Sequence, residues 1–131
     1  MVLKAILFDL DGTLVSSEDI HYQLWVDILN GYGVPFSERE YKRLYAGMPS
    51  AANAVDMIDR YALDVDPEGL LKAKIQATHA YLAHRSYPLM PHVRETIASF
   101  EAQGLIQAIV TGADRVSVMS NVQAHDLQRF F

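Results

Sequence analysis

Ile6-Leu7-Phe8-Asp9-Leu10-Asp11-Gly12-Thr13-Leu14 is the stretch on which the reading of this chain turns. From residue 2 to residue 8 the sequence is apolar apart from Lys4, and it then gives way at once to Asp-Leu-Asp-Gly-Thr. A short apolar run closed by a turn signal predicts a buried, central strand of a parallel sheet.

Downstream, the apolar residues Ile20, Leu24, Trp25, Ile28 and Leu29 recur at three- and four-residue spacing from about Glu18, until Gly31, Gly33 and Pro35 stop the pattern. That is an amphipathic helix. Ser37 with Glu40 three residues on is a capping-box signature for a short helix to about Tyr45, broken by Gly47-Met48-Pro49. Ser50 is placed to cap a third helix over Ala51–Tyr61, and Asp66-Pro67 opens a fourth through Leu70, Leu71, Ile75, His79 and Leu82. Pro88 and Pro91 bracket a linker. Val93 to Gln103 reads as a helix stopped by Gly104, Leu105 to Val110 as a second apolar strand ending at Thr111-Gly112, and the residues after Asp114 as a last helix. The order strand, helical insertion, helix, strand, helix is that of an open α/β unit interrupted after its first strand, with the two strands parallel and joined by a right-handed crossover.

With 131 residues, half of them apolar, the chain has enough to build a core and is far from the composition of a disordered one. A formal net charge of −5 without any Lys/Arg run gives no footprint for a nucleic-acid backbone or an anionic membrane, and favours a small-molecule partner. The absence of cysteine excludes disulfides, thiolate metal sites and a thiol nucleophile. The N-terminal apolar run is too short for a signal peptide or a membrane span, so a cytoplasmic location is expected.

In open α/β sheets ligands bind beyond the carboxyl ends of the strands, which here carry Asp9 and Asp11 on one and Thr111 on the other. Two carboxylates one residue apart repel unless a cation or proton lies between them, and an oxygen-only donor set suits Mg²⁺. One carboxylate can then attack phosphorus while its neighbour protonates the departing oxygen. The Thr111 hydroxyl and the N–H groups of Leu10, Asp11 and Gly112 are donors of the kind that hold phosphate oxygens. Taken alone, Asp-x-Asp-Gly after a strand also suits a turn with two solvated acids, or a calcium loop.

The longer string Phe-Asp-Leu-Asp-Gly-Thr-Leu resembles the first motif of the haloacid dehalogenase superfamily, and Ile109-Val110-Thr111-Gly112 resembles its second. The helical insertion, with His21 followed by Trp25, resembles the cap of the subfamily containing phosphoglycolate phosphatase and β-phosphoglucomutase. The resemblance implies an α/β fold: a Rossmann-type parallel-sheet core from residues 1–16 and 86–131, incomplete in this chain, with an inserted α-helical cap over 17–85. It implies that Asp9 forms an aspartyl-phosphate and ligates Mg²⁺, that Asp11 is the general acid/base with its carbonyl on the metal, and that Thr111 binds the phosphoryl group. An acid at position 11 is the phosphotransferase version of the motif, which disfavours a dehalogenase.

The implied activity is Mg²⁺-dependent hydrolysis of a small phosphorylated metabolite. A sugar phosphomutase of the same fold and a non-catalytic binding or dimerising module are the alternatives. His21 and the loop around Gly47 are the cap positions expected to face the substrate, although the loop from Tyr45 to Ser50 lacks the charged residue relatives often carry, and Ser16 stands where they often have Asp. Thr13 is expected to tie the turn through its hydroxyl, and Trp25, Tyr61, Tyr81 and Tyr87 to pack inside the cap. His79, His84, His92 and His125 read as surface or partly packed residues. Relatives also supply a lysine and further acids beyond the segment corresponding to Phe131. Here no Lys follows Lys74, and the only acid after Asp114 is Asp126. An incomplete sheet would leave one edge of the first strand bare, open to self-association.

Overall fold

The computed structural model describes residues 2–131. Strand β1 (Ala5–Phe8) pairs in parallel with β2 (Ile106–Ile109), in the register Ala5 with Ile106 through Phe8 with Ile109. Between them lie α1 (Glu18–Asn30), α2 (Glu38–Leu44), α3 (Ser50–Tyr61), α4 (Pro67–Leu82) and α5 (Val93–Ala102). After β2 come α6 (Arg115–Ala124) and a 3-10 turn at Gln128–Phe130. The chain divides into two compact units, one from the residues up to Ser17 together with Leu82–Phe131, the other from Glu18–Tyr81.

In the first unit, strand alternation sends Ile6 and Phe8 to the face that carries α5. The Phe8 ring lies 6.2 Å from Phe100 and 6.1 Å, edge-on, from Phe131, so the apolar C-terminus is packing material. Gln107 on β2 is buried and its Nε2 donates to the Ile97 carbonyl of α5 at 3.0 Å. The opposite face is bare: Leu7 is 67% and Ile106 70% exposed. The sequence reading of a strand buried on both sides is therefore corrected, because among the described residues helices cover one face of this two-stranded sheet only. The linker Ser86–Pro88 is pinned to α6. Tyr87 N–H donates to Asn121 Oδ1 at 2.8 Å, and Asn121 Nδ2 donates to the Ser117 carbonyl at 2.8 Å. Tyr87 thus belongs to this core and not to the helical unit, where the sequence reading had put it.

The second unit is built on one stripe per helix. Trp25 and Leu29 of α1 meet Phe36, Tyr41, Tyr45, Ala54, Met57 and Leu70 in a single cluster. Ser37 caps α2 by accepting from Glu40 N–H at 3.2 Å, as the capping-box spacing predicts. Ser50 does not cap α3: it is the first helical residue, and Pro49 occupies the cap position without a side-chain bond. Tyr45, at the start of the Gly47 loop, is fixed from two sides. Its hydroxyl donates to Asp56 Oδ2 at 2.7 Å, and its carbonyl accepts from Asn53 Nδ2 at 3.2 Å. Burial first, then the Asp56 carboxylate, hold the Tyr45 phenol above its usual range.

Two expectations follow. Asn121→Ala leaves the Tyr87 N–H without its buried acceptor and is expected to cost about 1–3 kcal/mol in denaturant unfolding; an unchanged midpoint would show that the linker is held by something else. Leu29→Ala opens a cavity in the second cluster and is expected to cost about 2–5 kcal/mol by the same measurement, with a loss below about 1 kcal/mol contradicting the packing described.

Candidate functional site

Beyond Phe8 the chain does not continue as strand but curls into a turn whose bonds are almost all to one carbonyl. Thr13, Leu14 and Val15 N–H donate to the Leu10 carbonyl at 3.2, 2.9 and 3.1 Å, and Gly12 N–H donates to Val15 O at 2.8 Å. Leu10, Leu14 and Val15 are buried and anchor the turn. Gly12 sits at φ +73°, a left-handed conformation that a side chain strains even though the space around it is open. Thr13 contributes its N–H to this arrangement; the tie expected from its hydroxyl comes from the backbone instead.

The turn holds both acids. Asp9 is exposed, and its Oδ1 accepts from Leu10 N–H at 2.8 Å. Asp11 is half-buried, and its Oδ1 accepts from the hydroxyl of the fully buried Ser17 at 2.5 Å. On the neighbouring strand, Val110 N–H donates to Phe8 O at 2.8 Å, which carries the parallel ladder up to the level of Asp9. Thr111 follows at once. Its Oγ1 accepts from Ala113 N–H at 3.2 Å and Gly112 is exposed beside it, while Asp114 caps α6 by accepting from Ser117 N–H at 2.8 Å.

Asp9, Leu10, Asp11, Thr111 and Gly112 are therefore gathered by the first unit at the carboxyl ends of two adjacent strands. His21 and Gly47 lie in the second unit. Gly47 has φ +73° and forms the bend after Tyr45. His21 has a buried neighbour in its own unit: its Nδ1 is 3.0 Å from Nζ of Lys74, a lysine only 2% exposed, which also donates to Thr78 Oγ1 at 3.2 Å and stands 5.6 Å from the Trp25 ring centre. Neither Lys74 nor Ser17 emerged from the sequence. The position of Lys74, one turn from Leu70 and Leu71 on α4, was the signal available for burial.

The donor set around Asp9 is oxygen only: two carboxylates, the Asp11 carbonyl and the Thr111 hydroxyl. That chemistry fits a hard divalent cation. Among the described residues no group of three or more His, Cys, Asp or Glu could hold a metal ion, so a cation here would complete its shell from phosphate and water.

The family model for haloacid dehalogenase-like hydrolases matches residues 6–131. The protein CbbY of Rhodobacter capsulatus is 31% identical over 129 residues, covering 95% of this chain and 57% of that protein. The fructose-1-phosphate phosphatase YqaB of Escherichia coli is 30% identical over 84 residues, covering 64% of this chain and 44% of that protein. Among solved structures, CbbY from Rhodobacter sphaeroides in complex with phosphate superposes with a TM-score of 0.79 at 22% identity, over 94% of this chain and 57% of that one. The chain thus spans about half the length of the curated relatives it matches. The chain belongs to the haloacid dehalogenase-like hydrolase family.

Proposed function

We propose that this chain carries the nucleophile and the general acid of a phosphatase acting on small phosphorylated metabolites. The observation that supports it best is the parallel register, which sets the Asp9 end of β1 beside the Thr111 end of β2. An Asp9 oxygen attacks phosphorus, and the bond to the departing oxygen breaks as an aspartyl-phosphate forms. Asp11 gives that oxygen its proton, then accepts one from the water that releases phosphate. The Thr111 hydroxyl and the N–H groups of Asp11 and Gly112 bind phosphoryl oxygens. Leu10 N–H joins them by exchanging its bond with Asp9 Oδ1 for one to phosphate.

Asp9 and the carbonyl of Asp11 would hold Mg²⁺, which when bound neutralises charge on the transferring group and eases the repulsion between the two acids. Names of relatives such as fructose-1-phosphate phosphatase and phosphoglycolate phosphatase support a substrate of a few carbons with one phosphate ester. The second unit, with His21 and the Gly47 loop, is the cap that chooses among such esters. Asp11 in place of a non-acidic residue favours phosphate esters over haloacids.

Hydrolysis of p-nitrophenyl phosphate with Mg²⁺ is expected to fall by about 10³-fold or more in Asp9→Asn and to stop on chelation with EDTA. A variant that keeps the wild-type rate, or a rate indifferent to chelation, would overturn this reading.

A further inference from the structure

One residue of the second unit holds both ends of a turn. Helix α2 stops at Leu44, and the chain bends through residues 45–49 before α3 begins at Ser50. Met48 N–H donates to the Tyr45 carbonyl at 3.1 Å and closes the bend, with Gly47 at φ +73° as its third residue. The same carbonyl accepts from Asn53 Nδ2 at 3.2 Å, while the Asn53 N–H donates to the Pro49 carbonyl at 3.0 Å. Asn53 is only 4% exposed. A buried amide costs free energy unless it is bonded, and a carbonyl can only accept, so the amide nitrogen has to face Tyr45. The Tyr45 ring is fixed by the same helix: its hydroxyl donates to Asp56 Oδ2 at 2.7 Å and accepts from Arg60 Nε at 3.1 Å. Residues 53, 56 and 60 lie three and four apart, on one face of α3. Between the fixed ends stand Gly47, Met48 and Pro49, all exposed and none charged.

We propose that Asn53 is a positioning residue that keeps residues 45–49 in one shape, so that the turn selects among substrates as a preformed surface and does not mould itself to each. This rests on the phosphatase reading above, which gives the Gly47 loop the choice of ester. A glycine near an exposed tip would by itself leave the bend free to change shape. Two bonds from one buried residue, with the Tyr45 phenol anchored behind them, remove that freedom before any ligand arrives. A preformed surface spends nothing on ordering when it binds, and it cannot re-pack around a wrong partner. Asn53 therefore bears on which leaving group is accepted and not on the bond that Asp9 breaks.

The experiment compares the wild-type chain with Asn53→Ala and with Asn53→Asp, which keeps the side chain's shape but has no N–H to give. Hydrogen exchange followed by NMR reads the turn without any activity. In both variants the Met48 amide is expected to exchange roughly 10-fold faster than in the wild type, while the amides of Leu29 and Met57 keep their rates. An unchanged Met48 rate, or an acceleration spread evenly over the helical unit, would overturn the placement. In turnover, kcat/KM for the best of a panel of sugar monophosphates is expected to fall about 10-fold relative to that for p-nitrophenyl phosphate. The loss falls on KM, and kcat on the aryl ester stays within about threefold of the wild type. A ratio that holds at the wild-type value would overturn the selecting role, while leaving the phosphatase reading intact as long as Asp9→Asn is inactive. If the wild type hydrolyses none of these esters, the phosphatase reading fails and takes the selecting role with it.

Discussion

Four parallel pairings, from Ala5 with Ile106 to Phe8 with Ile109, hold together segments about a hundred residues apart, and everything at the site depends on them. Closing so long a loop costs entropy, though the cost grows only slowly with length, so a helical unit can sit between the strands without breaking the arrangement. What repays it on one face is aromatic and aliphatic packing: Phe8 against Phe100 and Phe131, and Gln107 tied to the Ile97 carbonyl. A one-residue slip of β1 would turn Phe8 to the bare face and rotate Asp9 away from Thr111. Fold and chemistry are therefore specified by the same register.

The strands and their ends were legible because the signals are local and strong. An apolar run stopped by Asp-Leu-Asp-Gly-Thr admits few conformations, and so does Leu105–Val110 stopped by Thr-Gly. The helix cap was legible at Ser37, where a side chain does the capping, and misread at Ser50, where Pro49 takes the cap position and the helix starts one residue earlier than the cap reading implies. The membership of Tyr87 was misread for a different reason. Helical periodicity says that a tyrosine is buried but not in which unit, and the answer came from Asn121, thirty-four residues away in sequence.

What the sequence could not show is which side chains distant along the chain, or facing inward from a turn, come together. Ser17 is six residues from Asp11, at a spacing that matches no helix or strand, and meets it only because Val15 is clamped to Leu89. Lys74 reaches His21 across fifty-three residues and lies almost wholly out of solvent, an arrangement at odds with the usual preference of lysine for the surface. Exposure of Leu7 and Ile106 was hidden as well, since an apolar strand reads as buried whatever lies above it.

As the proposed nucleophile, Asp9 itself is expected to become phosphorylated during turnover. Sodium borohydride reduces an acyl phosphate to an alcohol, so adding it during Mg²⁺-dependent turnover and digesting the protein reads the nucleophile directly by peptide mass spectrometry. Homoserine is expected at position 9 and nowhere else. Steady hydrolysis with an intact aspartate at position 9, or with the reduced residue at another position, would contradict it.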